Sequence, residues 1–225
     1  MNIILFGPPG AGKGTQASYI SKKFNLYKIS TGDLLREEIS KNTSLGQKIK
    51  SIIDGGEFVS DDYINGLIEN ILLNKNFFNR LIFDGYPRTL KQAESLNLLI
   101  KKNNQKISCV LSLNVDKQTI VKRILGRQTC SKCGLIFNTY FNPPTLSNHL
   151  CEDKFLSKRT DDNEKTIINR FETYLTKTLP ILDFYKKQKL LHEINGLNEI
   201  ELINKEIQAI IAFLETWLCK LYLYK

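Results

Sequence analysis

Residues 7–15 read Gly7-Pro8-Pro9-Gly10-Ala11-Gly12-Lys13-Gly14-Thr15, set between the apolar run 2–6 and a helical pattern over 13–24. No other stretch constrains the fold as tightly. Glycines at this density let the backbone curl so that successive N–H groups point inward. The helix that follows turns its unpaired N–H groups and the positive end of its dipole toward the same point. Lys13 adds a full positive charge, which a plain turn between strand and helix would not need. Strand, loop and helix in this order form a phosphate cradle. One departure stands out: Gly14 separates Lys13 from Thr15, whereas the common pattern places Ser or Thr directly after the lysine.

Short runs rich in Ile, Leu, Val and Phe recur at 27–29, 80–84, 108–115 and 190–194, with helical patterns at 61–74, 90–103 and 117–125. That alternation predicts an α/β fold: a three-layer core in which a central parallel five-stranded sheet is covered by helices on both faces. Two regions break the rhythm. Residues 30–59 hold two helical patterns and no strand, stopped by Gly55-Gly56, and residues 126–162 lack a long helical pattern but carry Pro143-Pro144 and three cysteines. Connections of that length are usually lids or small separate units. Near the C-terminus, Leu202, Ile203, Ile207, Ile210, Ile211, Leu214, Trp217, Leu218 and Leu221 form an amphipathic stripe, read as a helix packed on the core, with Cys219 a free thiol.

Composition narrows the setting. With 225 residues, 42% of them hydrophobic and 24% charged, the chain can build one sizeable core, and disorder or fibrous architecture is excluded. No segment reaches the roughly 18 apolar residues of a membrane span, and the first residues carry no basic leader. Five cysteines, an odd number, favour a reducing cytoplasmic setting with thiols free or metal-bound. A net charge of +9 suits anionic partners without choosing among nucleotides, nucleic acid and lipid. Arginine says more, because only seven of the 32 cations are Arg.

Further motifs follow the first in a fixed order: Ser30-Thr31-Gly32-Asp33-Leu34-Leu35-Arg36, then Asp84-Gly85-Tyr86-Pro87-Arg88 with Gln92, then Arg123 and Arg127, then Arg159-Thr160-Asp161-Asp162 and Arg170. In order and spacing they resemble the adenylate kinase family, in its long form with a zinc-type lid, over residues 1 to about 213. The resemblance implies a P-loop core of residues 1–29, 60–125 and 163–225, an inserted helical acceptor-binding subdomain at 30–59, and a lid at 126–162. It also implies the reaction ATP + AMP ⇌ 2 ADP in a monomer, with Mg²⁺ accompanying ATP.

Six of the seven arginines, all but Arg80, fall where that family places functional ones. Arg grips phosphate oxygens with a rigid two-pronged fork that a lysine ammonium lacks. By resemblance, Gly10, Ala11, Gly12, Lys13, Gly14 and Thr15 cradle the donor phosphates, and Asp84 holds Mg²⁺ through water. Arg36 and Arg88 grip the acceptor phosphate, while Arg123, Arg127, Arg159 and Arg170 converge on the transferring group. The acceptor site is lined by Glu57, Phe58, Val59, Gly85, Tyr86 and Pro87, with Tyr86-Pro87 a candidate cis peptide. Thr31 and Gln92 match the adenine-reading pair, which favours AMP over other monophosphates. The donor base packs on Arg127, Ile136 and Phe137 and meets backbone near Gly196 and Asn198, so ATP and GTP are poorly separated.

The lid carries Cys130-x-x-Cys133 followed by Cys151. Two thiolates on one tight turn suit two corners of a Zn²⁺ tetrahedron, and a region without a helical core gains most from such a staple. Family members close the site with a second Cys-x-x-Cys or Cys-x-x-Asp pair, but here the corresponding residue is Lys154, which cannot ligate. His149 is the favoured fourth ligand and Asp153 the alternative. Cys109 and His192 lie in strand patterns and are read as structural. A competing function, a nucleotide switch whose zinc knuckle docks nucleic acid, would draw on the positive charge. It is disfavoured because the lid has Phe137, Tyr140 and Phe141 but few adjacent cations. No nucleic-acid or membrane partner is expected.

Overall fold

The computed structural model describes residues 1–223, with side chains through residue 216; the side chains of Trp217, Leu218, Cys219 and Leu221 lie outside the described residues. Strand β1 (Asn2–Phe6), helix α1 (Lys13–Phe24) and strand β2 (Tyr27–Ser30) lead into a helical pair, α2 (Thr31–Ser40) and α3 (Ser44–Asp54). Then come α4 (Asp61–Leu72), β3 (Leu81–Asp84), α5 (Leu90–Lys102), β4 (Ile107–Asn114) and α6 (Lys117–Leu125). Three short strands follow, β5 (Arg127–Cys130), β6 (Ile136–Asn138) and β7 (Leu156–Ser157). The chain continues through α7 (Glu164–Thr173), a π-helical turn (Tyr174–Thr178), α8 (Ile181–Lys187), β8 (Leu191–Asn195) and α9 (Ile200–Leu223).

The main sheet has five strands in the order β2-β3-β1-β4-β8, all parallel. β1 sits at its centre with all five residues buried. Alternation along it feeds two cores: Ile4 and Phe6 join α4, α5 and α8, whereas Ile3 and Leu5 join Ala17 and Ile20 of α1 and Ile203, Ile207 and Ile211 of α9. From β1 the chain passes to β2 on one side, and after β3 it crosses to β4 on the other. The C-terminal end of β1 is therefore the switch point of the sheet, where open α/β sheets form their crevice.

The two interruptions become different structures. α2 and α3 form a helical pair, whose N-terminal N–H groups donate to the capping hydroxyls of Ser30 and Thr43. Residues 127–157 hold the separate antiparallel sheet β6-β5-β7. Helices 13–24 and 117–125 coincide with the sequence expectation, and the strands differ from it by a residue or so. The stretch from α7 to α8 was not expected as helix. α7 buries only Thr166 and Ile167, the π turn then breaks the 3.6-residue period, and Pro180 opens a helix of only seven residues. Among the described residues no helix is long and apolar enough to cross a membrane.

Candidate active site

The register of the sheet sets the site. Asp84, the last residue of β3, lies level with Leu5 of β1 and Ser30 of β2, so the loops leaving three adjacent strands meet. The loop after β1 wraps the start of α1. Its Gly12 caps the helix at φ 97° with no side-chain acceptor, which leaves the first N–H groups of α1 for a ligand. Gly10 (φ +81°) is required sterically as well, because a Cβ there would stand 2.7 Å from Ile124 Cγ1. Lys13 Nζ donates to the carbonyl oxygens of Gly7 (2.7 Å) and Pro8 (2.9 Å).

A cavity of about 320 Å³ opens over this loop. It is lined by Gly10, Ala11, Gly12, Lys13, Gly14, Thr15, Asp84 and all six arginines singled out by the sequence: Arg36, Arg88, Arg123, Arg127, Arg159 and Arg170. The seventh, Arg80, is elsewhere and pairs with Glu215 at 3.2 Å. Five of the six are held by backbone carbonyls or by carboxylates. Arg123 donates to the Ala11 (3.3 Å) and Gly196 (2.9 Å) carbonyls. Arg127 pairs with the buried Asp162 carboxylate, Arg170 with Asp161, and Arg36 with Asp33. Arg88 Nε donates to Gly85 O at 2.7 Å, with its guanidinium 5.3 Å from the centroid of the Phe58 ring.

These cations crowd one another. Burial, and after it Arg170 and Arg36, pulls Arg88 down to about 10; burial, then Arg127 and Arg36, does the same to Arg159. Burial also pulls Lys13 down to about 8, a drop that Asp84 opposes and that Arg88 and Arg127 deepen. Burial pushes Asp84 above the usual carboxylate range, against the pull of Lys13 and Lys28. Cations held down first by burial and then by one another suit an anion of several charges, which would offset both effects. Gly14 adds room beside Asp84: a Cβ there would lie 3.4 Å from Asp84 Oδ2.

Of the residues expected at the acceptor, Glu57, Phe58, Val59, Gly85 and Pro87 line the cavity, and the Tyr86-Pro87 bond is cis. Thr31, Tyr86 and Gln92 are buried behind it instead, with Thr31 Oγ1 donating to Gly85 O at 2.8 Å. Of the residues expected at the donor base, Ile136, Phe137 and Asn198 line the cavity, and Gly196 reaches it through its bond with Arg123. The aromatic ring facing a guanidinium here is Phe141, 5.4 Å from Arg123. Phe141, Asn138, Asn142 and Lys28 line the cavity without having been singled out as nucleotide ligands. The Tyr140-Phe141 pair was a usable signal, since two adjacent aromatics in a lid of short strands have little core to fill.

Within residues 126–162, ligand atoms of Cys130, Cys133, His149 and Cys151 lie within 4.8 Å of one another. Cys130 and His149 are buried, and His149 Nε2 has no hydrogen-bond partner. A buried ring nitrogen left unpaired is costly unless something binds it. Three thiols and an imidazole around such an atom fit a metal ion. The exposed Asp153 is outside the group, which removes it as the fourth ligand. Cys109, in contrast, is buried in β4, and burial pushes its thiol up to about 12, as befits a core residue.

The family model described as Adenylate kinase matches residues 5–190. The adenylate kinase of Pelagibacter ubique is 47% identical over 211 residues, covering 94% of this chain and 99% of that protein. That of Chloroherpeton thalassium is 45% identical over 214 residues, and that of Archaeoglobus fulgidus 42% over 213, each covering 94% of this chain and 98% of its own length. With its phosphate cradle, arginine-lined cavity and these likenesses over nearly its whole length, the chain belongs to the adenylate kinase family of ATP:AMP phosphotransferases.

Proposed function

We propose that this chain moves the terminal phosphoryl group of ATP to AMP by in-line transfer inside the arginine cage. The observation that carries the reading is that six of seven arginines meet at one cavity over the β1 loop. Two nucleotide polyanions repel each other, and the accepting phosphate oxygen is already ionised at neutral pH, so no strong base is needed. What the reaction needs is neutralisation, alignment and exclusion of water. The loop 10–15 and Lys13 take the donor phosphates, Arg36 and Arg88 the acceptor phosphate, and Arg123, Arg127, Arg159 and Arg170 the group in transit. Residues 30–59 act as the acceptor-binding unit, and residues 126–162 as a lid that brings Arg159 and Phe141 onto the donor and keeps water out.

Asp84, Gly14 and Thr15 fit a hydrated Mg²⁺ bound with ATP: a buried carboxylate beside a residue without a Cβ leaves space for a water shell. The ion, when bound, neutralises phosphate charge. The Cys130, Cys133, His149 and Cys151 group fits Zn²⁺ and would hold it in a closed structural site. Such thiols must stay reduced to ligate, which suits a cytoplasmic enzyme.

The direct test is ADP alone with Mg²⁺. Purified protein is expected to produce ATP and AMP in equal amounts; no interconversion with any monophosphate acceptor would remove the reading. Lys13 gives a second expectation. With its pKa near 8 in the free protein, Lys13 is mostly neutral at pH 9 and must regain its proton to hold phosphate. Calorimetric titration of ATP at pH 9, in two buffers of different ionisation enthalpy, should show uptake approaching one proton, lost in Lys13→Met. Equal uptake in both proteins would separate Lys13 from the phosphates.

A further inference from the structure

Gln92 is 2% exposed, and both ends of its amide are already engaged. Its Oε1 accepts the backbone N–H of Arg88 at 2.7 Å, and its Nε2 donates to Asp61 Oδ1 at 2.6 Å. Neither contact tolerates exchange of the two atoms. A flipped amide would set Oε1 against a carboxylate and Nε2 against an N–H donor, breaking two bonds and creating two repulsions. The supports are themselves fixed. Asp61 is the first residue of α4, while Gln92 lies in the first turn of α5, where its own N–H is capped by Thr89 Oγ1 at 3.2 Å.

A primary amide has two N–H donors and two oxygen lone pairs, so one of each remains for a ligand. Adenine presents an N1 acceptor beside an N6 donor. A 6-oxopurine presents the reverse, an N1–H donor beside an O6 acceptor. An amide free to turn over serves both edges; an amide held in one polarity serves one. We propose that Asp61 is a specificity-determining positioning residue, which locks the polarity of the Gln92 amide and thereby makes the acceptor site choose adenine over 6-oxopurine monophosphates. This rests on the reading of Gln92 as the residue that meets the acceptor base.

The test measures kcat and KM with Mg·ATP and either AMP or inosine monophosphate as acceptor, in the full-length protein and its Asp61→Asn, Asp61→Glu and Gln92→Ala variants. Asn presents either its oxygen or its amide NH2 to Gln92, so the Asp61 half of the lock is released with little change of shape and only the Arg88 N–H still biases the amide. The AMP-to-inosine-monophosphate ratio of kcat/KM is expected to fall by about 10-fold or more in Asp61→Asn. Its kcat with AMP should stay within about threefold, because the phosphate cage is untouched. Asp61→Glu, still an acceptor only, should keep most of the preference, which a merely structural role for Asp61 would not explain. An unchanged ratio in Asp61→Asn, beside a raised KM for AMP in Gln92→Ala, overturns the lock and leaves the reading of Gln92 standing. An unchanged KM for AMP in Gln92→Ala overturns both. Should Asp61→Asn fail to fold, Asp61→Ser, which accepts and donates alike, carries the same comparison.

Discussion

Lys13→Met is expected to lower kcat by about 10²–10³-fold, with a melting temperature at pH 7 no lower than that of the unaltered protein. Both halves follow from one placement. Lys13 is the cation closest in sequence to the cradle of N–H groups, and in the free protein its ammonium is parked on the carbonyls of Gly7 and Pro8, 2.7 and 2.9 Å away. Those two bonds hold it at the site and are exchanged for phosphate when the donor arrives. The charge that is lost acts most strongly where negative charge shifts during transfer, so kcat suffers more than donor affinity. Stability runs the other way. The folded protein binds the Lys13 proton less tightly than the unfolded chain does, since its pKa falls from 10.5 to about 8. That mismatch costs stability below about pH 8 and fades as the pH climbs toward the unfolded value. Removing the charge therefore relieves the fold at neutral pH. Turnover within threefold of the unaltered protein would show that Lys13 does not act on the transferring group. A large loss of melting temperature would show that its hydrogen bonds matter more to the fold than its burial does.

Removing the metal proposed for the Cys130, Cys133, His149 and Cys151 cluster should produce the largest structural change. The lid has little else to hold it: its strands contain four, three and two residues, and Cys130 and Phe137 are its only buried hydrophobic side chains in residues 126–162. His149, the third buried side chain of its centre, packs edge-on to Phe137 at 4.8 Å. Structural zinc in small modules contributes an apparent ~10–16 kcal/mol to folding at neutral pH, more than such a sheet supplies by burial. Purified protein is expected to carry about one zinc per chain. Cys130→Ser or chelation should bring that ratio close to zero, and a separate low-temperature melting transition for the lid should appear while the core keeps its own. Since no metal ligand lines the nucleotide cavity, transfer measured well below that transition should fall far less than in Lys13→Met. Metal-free protein with an unchanged melting profile would mean that the cluster is an incidental meeting of thiols.

The parts of the molecule legible in sequence were those where a local pattern and a tertiary demand coincide. β1, its glycine loop and α1 form one continuous chemical statement, and the helix begins at Lys13 as expected. The arginines were legible for a compositional reason, because in a chain that otherwise uses Lys each Arg marks a place where a fork is needed. Arg80 shows that the inference needed motif spacing as well as composition, since its own pairing with Glu215 is unrelated to the cavity. What escaped was structure fixed by long-range contact. α7, the π turn and α8 have a broken period, and their helicity rests on packing of Ile167, Tyr174, Ile181 and Tyr185. The lid sheet escaped because its strands are too short to alternate. Gln92 could be marked as a base reader from its position, but its buried pairing with Asp61 joins two helices 31 residues apart, and no local pattern announces it. Phe141 was visible as an aromatic but not as a cavity residue, because its neighbour Arg123 comes from a different element.

The proposed transfer depends above all on six guanidinium groups meeting at one cavity. The measurement is kcat/KM for ADP disproportionation across seven single Arg→Gln variants. Substitution of Arg36, Arg88, Arg123, Arg127, Arg159 or Arg170 is expected to cost at least about 10-fold each, and Arg80→Gln to stay within about twofold. A series in which Arg80→Gln is as damaging as the rest, or in which the six are individually neutral, would contradict it.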